Sequence, residues 1–152
     1  GWNNSREPSC LGINSRLDTL QASFLKFKLS KLDNLLHQRS NICDKYRAGI
    51  GDSYTIVTNK PNIGYHLFVI RVKKRDQFVE FMKAHDINIG IHYKDPFSKT
   101  KIYSKYTRSV SSLEFSDKIC SEVVSLPLYF GLKDFEQEKV IEALHKFRTK
   151  IM

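Results

Sequence analysis

Cysteine is scarce in this sequence, with three in 152 residues. Cys10, Cys43 and Cys120 lie far apart and form no Cys-x-x-Cys pair. That spacing argues against a disulfide framework and a zinc site, and it points to a reducing cytoplasm. His37, His66, His85, His92 and His145 are scattered without metal-ligand spacing, so no metal is expected. No apolar run approaches the roughly 18 residues of a membrane span. The polar stretch from Gly1 to Pro8 does not read as a secretory signal. The seven glycines are dispersed, and a Walker loop, a Gly-x-Gly-x-x-Gly and a Gly-x-Ser-x-Gly are all missing. Repeats and low-complexity segments are missing too. Acidic residues are few, 16 against 25 basic ones, for a net charge of +9. This balance favours an anionic partner: nucleic acid, a nucleotide-linked substrate or a phosphate cofactor. What is present is a chain 41% hydrophobic and 27% charged, long enough to bury roughly 70% of its unfolded surface in one core.

Residues 1–17 read as irregular, broken by Asn3, Asn4, Pro8 and Gly12. From Asp18 to Ala48 the pattern predicts one long helix, with a kink allowed, ended by Gly49 and Gly51. At 1.5 Å per residue it would reach about 46 Å, a length suited to linking two bodies. Its start is marked by Asp18 and Gln21 at capping-box spacing. Its apolar stripe runs Leu17, Leu20, Phe24, then Leu25, Leu29, Leu32 and Leu36. Strands are predicted at 54–57, 65–72, 87–93 and 125–129, where Pro127 suggests an edge or an end. Helices are predicted at 76–85, capped by Asp76, at 116–123, and from Asp134 onward. The last is announced by Asp134 and Gln137 at capping-box spacing and by Val140, Leu144, Phe147 and Ile151. The order strand, helix, strand over 65–93 suggests a right-handed crossover between parallel strands. The expected fold is α/β: a long helix, then a small mixed sheet of three to four strands with helices packed on it.

Two places carry candidate chemistry. Asn14, Ser15 and Arg16 precede the first helix, and Asn and Arg donate well to phosphate or carboxylate oxygens. His92 and Tyr93 end a predicted strand, where the imidazole and the phenol can reach phosphate or sugar oxygens. Basic and aromatic residues interleave just beyond, at Lys94, Phe97, Lys99, Lys101, Tyr103, Lys105, Tyr106 and Arg108. Such interleaving suits a single-strand nucleic-acid groove and a nucleotide-linked sugar alike.

The stretch Gly12-x-Asn14-Ser15-Arg16-Leu17-Asp18-x-Leu20-Gln21-Ala22 resembles a motif of the DegT/DnrJ/StrS family of pyridoxal-phosphate (PLP) sugar aminotransferases, which are fold-type-I enzymes. Tyr65-His66-Leu67-Phe68-Val69-Ile70-Arg71-Val72, Ile89-Gly90-Ile91-His92-Tyr93 and Ser125-Leu126-Pro127-Leu128-Tyr129 continue the resemblance in the family's order. The resemblance implies that Asn14 reaches the PLP phosphate of a neighbouring subunit. It further implies that His92, Tyr93 and, more weakly, Arg16 serve the substrate; His66, which matches a His common in the family, is read as mainly a packing or hydrogen-bonding residue. After Tyr93 the family often continues Pro-x-Pro-x-His; here Lys94 replaces the first Pro and Ser98 the His, while Pro96 is kept. The family's lysine, in a Ser-x-x-Lys stretch before a glycine-rich run, has no counterpart in these residues. The expectation is therefore a C-terminal segment: irregular residues 1–17, an interdomain helix 18–48 and a small domain 49–152. It would hold no catalytic residue of its own and be inactive alone. The implied parent is a homodimer that moves an amino group from a donor such as glutamate onto a nucleotide-linked keto-sugar, as in cell-surface polysaccharide biosynthesis. Two alternatives stand beside it, a basic nucleic-acid-binding module and a standalone assembly domain without catalysis.

Overall fold

The structure, a computed structural model, describes residues 16–57, 65–96, 99 and 113–151. Its elements are α1 (Thr19–Leu29), α2 (Leu32–Ile50), a 3-10 turn (Gly51–Ser53), β1 (Thr55–Ile56), β2 (Phe68–Arg71), α3 (Arg75–Ala84), α4 (Glu114–Glu122), β3 (Val123–Leu126) and α5 (Asp134–Ile151). The chain divides into two compact units, Gly1–Asn34 and Leu35–Met152.

In the first unit Asp18 caps α1, its Oδ1 accepting from the amides of Leu20 at 2.7 Å and Gln21 at 3.1 Å. No residue of α1 is buried. The expected single helix over 18–48 is present as two, interrupted at Ser30 and Lys31. The Ser30 hydroxyl donates to the Phe27 carbonyl at 2.7 Å, giving the backbone a local alternative to the helical ladder.

The second unit is built on an antiparallel sheet in the order β1-β2-β3. Thr55 faces Arg71, and Phe68 to Arg71 face Leu126 to Val123. The expected mixed sheet is thus antiparallel among its named strands. Residues 87–93 do not form a full strand. They touch the sheet through one antiparallel bridge, Gly90 to Ser125. Since β2 and this bridge both run antiparallel to β3, they share a direction, as the crossover expectation held. β3 is inserted between them, so they are not neighbours.

Phe68 and Ile70 on β2 and Val124 and Leu126 on β3 are buried with Phe78 and Met82 of α3 and Val140, Leu144 and Phe147 of α5. Cys43, Tyr46 and Ile50 bring α2 into the same core. The compact unit accordingly begins at Leu35 rather than at residue 49. Burial pushes the Cys43 thiol up to about 11 and the Tyr54 phenol up to about 12.

Two expected caps differ. Gln137 does not cap α5; it is buried and donates to the Ile42 carbonyl at 2.6 Å, tying α5 to α2. Glu136 instead reaches back to the Lys133 amide at 2.9 Å. Asp76 lies inside the first turn of α3 and pairs with Arg75 Nε at 3.1 Å. No described helix is long and apolar enough to cross a membrane.

Candidate functional site

The bridge between Gly90 and Ser125 is where candidate chemistry meets the sheet. Gly90 N–H donates to the Ser125 carbonyl at 3.0 Å, and Ser125 N–H returns a bond to the Gly90 carbonyl at 2.8 Å. This exchange sets the 87–93 segment against β3 and leaves the Ser125 hydroxyl unused by the backbone. That hydroxyl lies 2.9 Å from His92 Nδ1. Ser125 is buried, 4% exposed, so the contact is held in a fixed place. The imidazole lies over Gly90 itself, where a Cβ would overlap His92 Cε1. Glycine is needed there for close approach rather than for backbone freedom. With Nδ1 engaged, Nε2 is the ring nitrogen left to meet a ligand. Tyr93, joined to His92 by a cis peptide, is 75% exposed, and its ring stands edge-on to the imidazole at 5.8 Å.

Lys94, which follows Tyr93, lines a cleft of about 530 Å³ together with Arg75, Asp95, Lys99, Asp117 and Lys118. The cations thus outnumber the carboxylates by four to two. At the far end of β2, Arg71 is already committed. Its Nε and Nη2 donate to one oxygen of Glu122 at 2.8 and 2.6 Å.

His92 and Tyr93, neighbours in sequence, both lie in the second unit. Arg16 is described in the first unit and is exposed. Asn14 lies outside the described residues, as does the basic-aromatic run from Lys101 to Arg108. His66, expected to pack or to hydrogen-bond, is exposed, and its carbonyl accepts from Arg39 at 3.4 Å. Sequence reasoning missed Ser125 and Gly90 as partners of His92. A serine in a strand carries no signal of its own, although both residues stand inside the quoted motifs. Arg75 and Lys118 were missed as well, since they reach the cleft from helices distant in sequence.

A model of the DegT/DnrJ/EryC1/StrS aminotransferase family matches residues 2–145. The chain belongs to that family. The dTDP-3-amino-3,6-dideoxy-alpha-D-galactopyranose transaminase of Aneurinibacillus thermoaerophilus is 39% identical over 140 residues, which are 90% of this chain and 38% of that protein. The dTDP-3-amino-3,4,6-trideoxy-alpha-D-glucose transaminase of Micromonospora megalomicea subsp. nigra is 29% identical over 91% of this chain and 39% of its own length. Among solved structures, S. venezuelae DesV superposes with a TM-score of 0.82 at 28% identity, covering 90% of this chain and 38% of DesV. This chain thus spans under two fifths of the length of each of these three relatives.

A PLP enzyme needs an enclosed lysine as covalent anchor. Every described lysine is exposed except Lys45, which is half-buried and paired with Asp134 and Glu138 at 3.0 and 2.9 Å. The described residues therefore do not by themselves hold that cofactor.

Proposed function

We propose that this chain is the C-terminal part of a PLP-dependent aminotransferase acting on a nucleotide-linked keto-sugar, with glutamate or a similar amine as donor. The observation that carries the reading is the His92 site. An imidazole seated over Gly90 and held by Ser125, next to an exposed tyrosine and a basic cleft, suits a ligand with sugar and phosphate oxygens. The family and the named activities of its dTDP-sugar relatives support the same reading.

In the longer protein the cofactor supplies the reactive carbonyl and the electron sink for amino transfer. The roles of this chain are positioning and charge. His92 Nε2 and the Tyr93 hydroxyl orient the substrate, with Arg16 as an auxiliary anion contact. Asn14 donates to the cofactor phosphate of a partner subunit in a homodimer, an arrangement for which Leu17, Leu20 and Phe24 offer an apolar face. The chain alone is inactive, because its described lysines offer no anchor. Cytoplasmic placement and cell-surface polysaccharide synthesis belong to the same reading.

The test uses the longer protein. His92→Ala and Tyr93→Phe should each slow keto-sugar turnover about ten- to a hundredfold, the cost of one hydrogen bond to a charged group, with cofactor absorbance unchanged. Unchanged kinetics in both variants would remove this segment from the substrate site. Mixing Asn14→Asp subunits with subunits lacking the anchor lysine should restore part of the activity. No recovery after demonstrated subunit exchange would place Asn14 in its own chain's site, or off the cofactor.

A further inference from the structure

We propose that Ser125 is a positioning residue that fixes the tautomer of His92. The Ser125 hydroxyl donates to Nδ1, the ring proton sits on Nε2, and His92 meets its ligand as a hydrogen-bond donor rather than as a base. The tautomer is a property of this chain; that the ligand is a keto-sugar rests on the reading above.

The assignment follows from counting hydrogens. A hydroxyl carries one hydrogen and two lone pairs, and a neutral imidazole one N–H and one bare nitrogen. The 2.9 Å contact between Ser125 Oγ and His92 Nδ1 can therefore run in two senses. If Nδ1–H donated to Oγ, the hydroxyl hydrogen would need an acceptor elsewhere. Ser125 is 4% exposed, which keeps bulk water away, and among the described residues His92 Nδ1 is the one partner of that hydroxyl. A buried donor left unpaired is costly and rare. In the opposite sense the hydroxyl donates to a bare Nδ1, and both groups are satisfied. The ring proton then lies on Nε2.

Gly90 sets the place of the ring and Ser125 sets its hydrogen. A Cβ on Gly90 would meet Cε1 first, then Nδ1 and Nε2, so the ring is seated by its nitrogen-bearing edge. With Nδ1 taken, Nε2 is the remaining polar atom of an exposed side chain. An Nε2–H selects an acceptor: a phosphate, hydroxyl or carbonyl oxygen. It has no lone pair with which to take a proton from the ligand. His85 and His145 supply the contrast. His85 Nδ1 lies 2.8 Å from the Phe81 carbonyl, and His145 Nε2 lies 2.8 Å from the Gly49 carbonyl. A carbonyl only accepts, so these two rings carry their protons on different nitrogens.

The experiment is a long-range proton–nitrogen correlation spectrum of the 152-residue chain, labelled with nitrogen-15 histidine. It is recorded at about pH 8.5, above the ordinary histidine range. His92→Gln identifies the His92 signals. His92 should read as Nε2–H with a hydrogen-bonded Nδ1, beside an Nδ1–H His85 and an Nε2–H His145 in the same spectrum. Ser125→Ala should move the His92 Nδ1 signal to that of an unbonded nitrogen and leave His85 and His145 in place. In a longer protein Ser125→Ala should lower kcat/KM for the keto-sugar about three- to tenfold, the usual net effect of one neutral hydrogen bond, with cofactor absorbance unchanged. It should add no further loss once His92 is replaced by Ala, because Ser125 acts through the imidazole. An Nδ1–H His92 overturns the proposal, and seeing it needs no Ser125 variant. So do His92 nitrogens unmoved by Ser125→Ala, and a Ser125→Ala loss that adds in full to that of His92→Ala. Failure of the aminotransferase reading looks different. A longer protein that turns over no keto-sugar, yet keeps an Nε2–H His92 whose Nδ1 signal depends on Ser125, removes the activity and keeps the tautomer.

Discussion

Helices α1 and α5 are announced by the same sequence signal and end in opposite environments. Each carries apolar residues three and four apart. In α5, Val140, Leu144 and Phe147 are buried, with the Phe147 ring 5.1 Å from Phe78 and 5.3 Å from Phe81. In α1, Leu20, Phe24 and Phe27 are exposed by 62–66%. Periodicity identifies a face that needs covering; it does not say whether the cover lies in the same chain. The +9 charge teaches something similar. It favours an anionic partner but does not say where on the surface such a partner would sit.

The sharpest way to test the contrast is to remove equal apolar bulk from each unit. Phe68 is fully buried, its ring 5.1 Å from Tyr46. Phe68→Ala should cost about 3–5 kcal/mol, the usual cost of emptying an aromatic site in a close-packed core. Urea unfolding of the 152-residue chain measures this directly. A loss below about 1 kcal/mol would mean that the second unit is not the cooperative body its packing describes.

The same contrast explains which features the sequence revealed. Elements with a strong local cause were legible. Asp18 caps α1 as its position implied, and β2 and α5 arise where β-branched and helical patterns predict them. His92 and Tyr93 stood out because they sit together at the end of a predicted strand within a motif the family shares. Non-local partners were not legible. Gln137 looked like a capping residue because its spacing from Asp134 was right, yet the carbonyl of Ile42, 95 residues away in sequence, claims its amide. The 87–93 segment looked like a strand, but one bridge to Ser125 is all the sheet contact it makes. The grip of Ser125 on His92 spans 33 positions, and no local pattern encodes it.

A middle-sized effect should separate the units by pH. The Cys43 thiol, pushed up to about 11 chiefly by burial, stays protonated in the folded state where an unfolded thiol has begun to ionise. The folded state then binds more protons, so its stability falls as pH rises. The contribution is complete below about pH 9 and is lost as pH climbs through about 11. Tyr54, raised to about 12 by burial, acts in the same direction at higher pH, and Tyr46, also raised mainly by burial, does likewise. The second unit should lose up to about 3 kcal/mol of stability across that window from Cys43 alone. Cys43→Ala should flatten this part of the slope. Equal slopes in the two proteins would show that the thiol ionises without opening the core.

The smallest expected effect is the most informative about α1. The paired substitution Leu20→Ser and Phe24→Ser should change the unfolding free energy of this chain by less than about 0.5 kcal/mol, as is usual for exposed sites. The side chains removed are as large as those whose loss from the core costs several kcal/mol; what differs is that these are exposed. In a longer protein the outcome should reverse. Leu20, Phe24 and Phe27 form one apolar stripe on α1, and Leu25 and Leu29 lie around the helix from it, so more than one side of the helix is apolar. A helix that is apolar around much of its circumference is stable only when buried. The same two substitutions should there cost about 2 kcal/mol or more each. They should also weaken the proposed homodimer, which sedimentation at a series of protein concentrations can read. A longer protein that tolerates both serines with unchanged stability and unchanged assembly would show that α1 remains uncovered there too. In that case its apolar face plays no part in joining subunits, and the in-trans role of Asn14 loses its structural support.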